Sequence, residues 1–328
     1  MNIPTHMNAV VIREAGGPDM LKVEKVPLPQ PAEGHVLIKV KAFGLNRSEL
    51  FTRQGHSPNV EFPRVLGIEA TGIIAAAPDG TFEVGTPVAT AMGGMGRQYD
   101  GSYAEYVQVP AGQVMPIKTE LDWQTVGALP EMLQTAWGSL YHALKLEPGQ
   151  SLLVRGGTTS VGLAAIAIAK KRGVTVLATT RKMDRAQLLT DAGADHVVEE
   201  TGSIANAVKA VFPQGVDKVL ELVGTTTLED SLQCAATGGS VCMTGMVGGS
   251  WSFKDFSPMA SIPHAVNLTT YSGGPVDFMR TPLQALLEQV EKGELPVTVG
   301  KVFKLDDIVE AHACMEENRA GGKIVVLP

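Results

Sequence analysis

Residues 151–173, SLLVRGGTTSVGLAAIAIAKKRG, constrain the fold more than any other stretch. An apolar run passes through a turn of small residues into a segment whose apolar positions recur at helical spacing. This pattern predicts a strand, a tight turn and a helix. The alternation continues through VTVLATT, DRAQLLTDAGA, DHVVEE, SIANAVKAVFP, DKVLELVG, LEDSLQCAATGG (a helix ending at glycine) and SVCMTGMVGG, the rhythm of βαβ units around a parallel sheet. Small residues let a backbone approach a pyrophosphate closely, and the first N–H groups of a helix supply donors and partial positive charge. The candidates are Gly156, Gly157, Thr158, Thr159, Ser160, Val161 and Gly162. The turn is not a strict G-x-G-x-x-G, since Thr159 and Ser160 stand where glycines are expected. The surrounding βαβαβ pattern is what turns it into a nucleotide-site prediction.

The end of the next strand selects the nucleotide. A ribose 2′-OH calls for a carboxylate there, a 2′-phosphate for cations. Here Thr179, Thr180, Arg181 and Lys182 precede any acid, and two cations at a helix start run against the usual preference for acids. Two hydroxyls and two cations predict a phosphate pocket, hence NADPH.

Before this region, from Met7 to about Leu121, short β-type runs such as HVLIKVKAFGL and YAEYVQVP are broken by Gly and Pro, which suggests a compact β-rich domain or irregular barrel. The six residues before Met7 are read as an extension with no readable role. After the βαβ region, PLQALLEQVEKGEL reads as a helix, VGKVFKL as a strand, DDIVEAHACMEENRAGG as a helix and KIVVLP as a strand. Periodicity leaves open whether they extend the parallel sheet or return to the first domain.

With 328 residues, 44% of them hydrophobic, the chain is long enough for two domains. Its 27 basic and 34 acidic residues give a net charge of −7, which disfavours nucleic acid and anionic membranes as partners. No run approaches the roughly 20 apolar residues of a membrane helix, and the N-terminus lacks the pattern of a signal peptide. Cys234, Cys242 and Cys314 form no C-x-x-C spacing, so a reduced, cytoplasmic setting is expected.

Along nearly its whole length the chain resembles the zinc-free quinone oxidoreductases of the medium-chain dehydrogenase/reductase superfamily. The stretches that carry the likeness include NAVVIREAGGPDMLKVEKVPLP, VKAFGLNRSELFTRQG, PRVLGIEATGII, GSYAEYVQVP, ALPEMLQTAW, the glycine-rich turn, TTRKMDRAQLLTDAGADHVV and GGKIVVLP. The resemblance implies an α/β protein with a GroES-like β-rich catalytic domain (1–122 and, on return, 266–328) and a doubly wound Rossmann domain (123–265). A homodimer is implied as well. Positions that bind catalytic zinc in other relatives fall on Asn46, Ile68 and Glu131, and the four-cysteine lobe for structural zinc is absent, so no metal is expected.

The same resemblance places Asn46 in the nicotinamide pocket and Thr135 beside the nicotinamide or its ribose. Leu222, Val223 and Gly224, with Gly245, Met246 and Val247, would border the nicotinamide half, and Gly322 and Lys323 match the segment that closes over it. Two departures stand out. Glu200 replaces a tyrosine expected near the adenosine, where a carboxylate would repel phosphate. His56 and Ser57 replace the tyrosine proton donor of zinc-free enoyl reductases. A quinone accepts hydride with protons taken from solvent, whereas an enone or enal benefits from a placed donor. The proton-donor candidates are Tyr103, Tyr271, His56 and Glu131; for Glu131 the alternative is capping of the helix after Pro130. Asn46, Thr135, Tyr271 and Glu131 are thus the catalytic candidates. The expected partner is a small electrophilic acceptor of the quinone type. A reductase of activated C=C bonds and a non-catalytic NADPH-binding protein are the competing readings.

Overall fold

A computed structural model describes residues 3–328; Met1 and Asn2, part of the N-terminal extension, lie outside the described residues. The chain divides into two compact units.

The first unit takes the chain up to Glu131, then Gly273–Glu291 and Thr298–Pro328. It opens with strands β1 (His6–Ile12), β2 (Lys22–Pro27) and β3 (His35–Gly44), helix α1 (Arg47–Arg53), strands β4 (Arg64–Val65), β5 (Glu69–Ala76), β6 (Pro87–Ala91), β7 (Tyr106–Pro110) and β8 (Val114–Pro116), and helix α2 (Trp123–Gly127). The first strand thus begins one residue before the expected Met7. In β3 seven of the ten residues are buried, and both β5 and β7 pair with it antiparallel. Helix α2 starts at Asp122, whose side chain accepts the N–H of Thr125 at 2.8 Å, an N-cap that satisfies an otherwise orphaned donor.

The second unit, Met132–Ser272 with Lys292–Val297, holds the alternating segment. Helix α3 (Pro130–Trp137) leads through a π-helical turn into β9 (Ser151–Arg155), α4 (Ser160–Lys171), β10 (Thr175–Thr180), α5 (Ala186–Asp191), β11 (His196–Glu199), α6 (Ala205–Val211), β12 (Val216–Glu221), α7 (Thr225–Cys234), β13 (Ala235–Met243), a short α8 (Pro258–Ser261) and β14 (Asn267–Thr270). All five strand pairings are parallel, in the order β11-β10-β9-β12-β13-β14. This doubly wound arrangement reverses direction between β9 and β12, and ligands of such sheets bind outside the carboxyl ends of the strands at that switch point.

Two expectations shift. The helix expected through LEDSLQCAATGG ends at Cys234, and Ala235–Gly239 already belongs to β13, drawn into the sheet by pairing with Val216 at an irregular register. The return to the first unit, expected at 266, begins at Gly273, because β14 completes the parallel sheet beside β13.

The remaining elements are α9 (Pro275–Arg280), α10 (Leu283–Glu291), β15 (Val299–Lys304), α11 (Ile308–Glu316) and β16 (Lys323–Leu327). Strand β16 pairs antiparallel with β3, Val325 facing Gly44, and parallel with β15. The buried Ile308, Ala311, Cys314 and Met315 of α11 join the same core as Ile324 and Val326. No described helix is long and apolar enough to cross a membrane.

Gly322 is needed for this return on steric grounds: a Cβ there would lie 2.5 Å from the carbonyl oxygen of Thr298 and 2.8 Å from the Gly300 nitrogen. Gly322→Ala is therefore expected to cost about 1–3 kcal/mol through forced repacking, read as a lower urea midpoint. An unchanged midpoint would refute the steric reading.

Candidate active site

At the switch point the glycine-rich turn is tied to Thr179 of β10. Gly156 takes φ +86°, a conformation that glycine adopts without a steric penalty. Its N–H donates to Thr179 Oγ1 at 3.0 Å, and the Gly157 N–H donates to the Thr179 carbonyl at 3.1 Å. Thr159 caps α4, accepting the Gly162 N–H at 3.0 Å while its hydroxyl donates to the Gly156 carbonyl at 2.9 Å. A Cβ on Gly162 would sit 2.6 Å from the Gly156 oxygen, so only glycine lets helix and strand come this close. Ser160 and Val161 then present first-turn N–H groups with no acceptor inside the helix, while Thr158 is half-buried between them and Gly157.

The hydroxyls expected in the phosphate pocket take part in local hydrogen bonds. Thr179 accepts from Gly156, and Thr180 closes a local turn, donating to the Lys182 carbonyl at 3.0 Å. Both threonines are buried. Arg181 and Lys182 are exposed, and neither side chain forms an ion pair among the described residues. The cations are exposed, whereas the hydroxyls lie buried.

Opposite the turn, the backbone after β12 meets the loop after β13. The Val247 and Gly248 N–H groups donate to the carbonyls of Leu222 and Val223, at 3.2 and 2.8 Å. Gly224 has φ +108°, and a Cβ on Gly245 would strike Leu222. Met246 is half-buried in this loop. A Cβ on Gly156 would lie 3.1 Å from Leu222, so the turn and the Leu222–Gly224 loop are adjacent across the switch point. Also in this unit, Thr135 is half-buried on α3, its carbonyl accepting from Ser139 at 2.7 Å, and the Tyr271 ring packs against Gly138.

A network missed by the sequence reading lies behind the turn. Arg155, fully buried, grips Glu200 with two hydrogen bonds of 2.8 and 2.7 Å and also reaches Asp230 at 2.8 Å, Ser231 Oγ at 3.0 Å and the Thr227 carbonyl at 3.1 Å. Burial alone would pull this guanidinium's pKa down, but Glu200 outweighs it and the net shift is upward. Glu200, expected to repel phosphate, is instead neutralised by Arg155. Glu221, equally buried, accepts from the Val223 and Gly224 N–H groups (2.6 and 2.9 Å), Thr227 Oγ1 (3.1 Å) and Ser231 Oγ (2.5 Å). Burial raises its pKa. The available signal was a charged residue closing each of two strands, Arg155 after SLLV and Glu221 after DKVL.

In the first unit, Asn46, Glu49, Glu69, Glu131 and Lys323 converge. The Lys323 ammonium donates to Asn46 Oδ1 at 2.5 Å and Glu69 Oε1 at 2.9 Å, and lies 3.8 Å from Glu131 Oε2. The Asn46 amide donates to Glu69 (3.0 Å) and Glu49 (3.3 Å). Burial would lower the Lys323 pKa, yet Glu69 and then Glu131 turn the shift upward. Lys323, expected over the cofactor, has its charge spent inside this cluster. The start of α3 is met by Glu69 Oε2, which accepts the Glu131 N–H at 2.9 Å. Of the other donor candidates, Tyr103 is fully buried, its hydroxyl bonded to His312 Nε2 at 3.0 Å, and His56 lies exposed on a loop.

A sheet-rich unit assembled from both ends of the chain, with a doubly wound nucleotide-type unit between, defines the medium-chain dehydrogenase/reductase class. The alcohol dehydrogenase GroES-like domain family matches residues 32–119, and the zinc-binding dehydrogenase family matches residues 192–326. The chain is 30% identical to human quinone oxidoreductase, with 98% of each chain covered, and 27% identical to a Burkholderia 2-haloacrylate reductase, again over 98% of both. Among solved structures it is similar to an NAD-dependent alcohol dehydrogenase (30% identity, TM-score 0.88) and to a mycobacterial protein complexed with NADPH (29%, TM-score 0.86), covering 98% of this chain and all of each of those. The chain belongs to the quinone oxidoreductase family of that class. The zinc implied by one family description does not fit the residues present: an amide at 46, an aliphatic side chain at 68, one carboxylate at 131 and an ammonium among them.

Burial, then the neighbouring Glu69, pushes Glu49 up to about 8 from 4.5. Across that window the folded chain keeps a proton that the unfolded chain releases, so this group makes stability fall as pH rises from about 4.5 to about 8, by at most ~1.4 kcal/mol per pH unit. Glu49→Gln should flatten the decline in urea unfolding between the two ends of the window. Parallel wild-type and variant profiles would contradict the assignment.

Proposed function

We propose that the chain is an oxidoreductase that uses NADPH to reduce a small electrophilic acceptor of the quinone type, without a metal. The observation that carries this reading is the pair of exposed, unpaired cations, Arg181 and Lys182, one residue beyond the Thr179–Thr180 segment that anchors the glycine-rich turn. Cations at the end of the second strand suit a 2′-phosphate, and no carboxylate stands there to receive a 2′-OH.

In this reading the N–H groups of Ser160 and Val161 bind the pyrophosphate at the start of α4, and Gly162 keeps the helix close enough for them to do so. Arg181 and Lys182 hold the 2′-phosphate. The Leu222–Gly224 and Gly245–Val247 segments border the nicotinamide half. When bound, the dihydronicotinamide supplies the hydride. A quinone then takes its protons from solvent, so no strong general acid is required of Tyr103, which is buried against His312, or of His56. For Asn46, Thr135, Tyr271 and Glu131 we propose roles in shaping the acceptor surroundings.

The likeness to a 2-haloacrylate reductase favours a second reading, reduction of an activated C=C bond. We also propose a homodimer: β14 pairs only with β13 among the described residues, and Met259, 96% exposed on α8, adds apolar surface in the same unit. The three cysteines, free and buried, suit a reducing, cytoplasmic setting.

The test is oxidation of NADPH by purified protein with phenanthrenequinone, benzoquinone and a panel of enals, enones and haloacrylates, with NADH as control. Faster turnover of quinones supports the first reading and faster turnover of alkenes the second. Tight binding without turnover would refute the catalytic claim. Arg181→Ala is expected to raise KM for NADPH about tenfold, equivalent to ~1.4 kcal/mol, with little effect on NADH; equal effects would refute the 2′-phosphate assignment.

A further inference from the structure

The buried cluster of the first unit is built around a cation supplied by the chain itself. Pairing of β16 with β3 sets Val325 opposite Gly44, which carries Lys323 to a point beside Asn46. The room for it is made by Gly44. Its φ is not in the left-handed region, so the backbone does not demand glycine, yet a Cβ would overlap both Lys323 Cε and Glu69 Oε1. Around the ammonium stand three oxygens, Asn46 Oδ1 at 2.5 Å, Glu69 Oε1 at 2.9 Å and Glu131 Oε2 at 3.8 Å. The ammonium also orients the asparagine: with Oδ1 held, Nδ2 is turned onto Glu69 and Glu49. Two of the three oxygens belong to residues 46 and 131, the positions that fall on zinc ligands in metal-binding relatives.

We infer that Lys323 is a positioning residue that does in this chain the work of a divalent metal ion: its ammonium is the fixed cation around which Asn46, Glu69 and Glu131 are oriented. A second cation would meet like-charge repulsion at this distance and would find the same oxygen atoms already taken. The chain therefore assembles this corner without metal and refuses one. Remove the ammonium, and an amide oxygen and two carboxylates are left facing one small space, a donor set suited to a hard divalent ion such as Mn2+. The inference is independent of the acceptor and of the nucleotide.

The experiment compares full-length wild type, Lys323→Met and Gly44→Ala by thermal unfolding with and without Mn2+, and by the loss of the free-ion Mn2+ EPR signal. Wild type should leave the Mn2+ signal and its melting temperature unchanged. Lys323→Met should melt lower by more than about 5 °C, bind Mn2+ and recover part of that loss when Mn2+ is added. Gly44→Ala, which keeps the ammonium but crowds it away from Glu69, should also melt lower yet bind no Mn2+. Stoichiometric Mn2+ on wild type, or Lys323→Met that melts like wild type or is indifferent to Mn2+, would overturn the inference. Should Lys323→Met not fold even with Mn2+ present, Gly44→Ala decides: a wild-type melting temperature in that variant overturns it.

Discussion

A fully buried guanidinium at the carboxyl end of β9 is the interaction on which the nucleotide-type unit depends. Arg155 sits immediately before Gly156 and joins two places that are distant in sequence: Glu200 and the Gly202 carbonyl beyond β11, and Asp230 and Ser231 on α7. A charge in such a place is costly unless paired, and breaking a buried pair by removing one partner commonly costs about 3–5 kcal/mol. The network therefore does more to fix geometry than to add net stability. By holding the ends of β9 and β11 and the start of α7 in one arrangement, it sets where the glycine turn and the Leu222–Gly224 loop stand.

The first unit solves a similar problem with a different cation. Three carboxylates, Glu49, Glu69 and Glu131, come together in a largely buried corner, and Lys323 places its ammonium among them. Glu49 escapes the conflict by holding its proton, which its pKa of about 8 expresses. Both clusters follow one rule: an interior charge is tolerated when hydrogen bonds and an opposite charge replace the water it has lost. In the second cluster a glycine supplies the necessary closeness, Gly44 against Lys323 and Glu69.

Much of the architecture is legible in the chain because it depends on local periodicity. The strand, turn and helix of 151–173 follow from an apolar run, small residues and a 3.6-residue repeat, and their recurrence implies a parallel sheet. What local pattern missed are effects of pairing at long range. Ala235–Gly239 reads as the end of a helix but is claimed by β12, and β14 reads as part of the return but is claimed by β13. Thr179 and Thr180 look like phosphate ligands; both are buried, Thr179 accepting from Gly156 and Thr180 donating to the Lys182 carbonyl. Glu200 looks like a repulsive charge until Arg155 is seen beside it, 45 residues away in the chain.

The sequence by itself determined the class of protein, the position of the glycine-rich turn and the sign of the charge at the end of β10, since each is written in contiguous residues whose chemistry acts locally. Only the tertiary structure decided which of those charges stay available. Arg181 and Lys182 form no ion pair among the described residues, whereas Arg155 and Lys323 are consumed by Glu200 and Glu69. Whether a charge is spent or free depends on which distant oxygens folding brings within about 3 Å of it, and spacing along the chain carries no record of that.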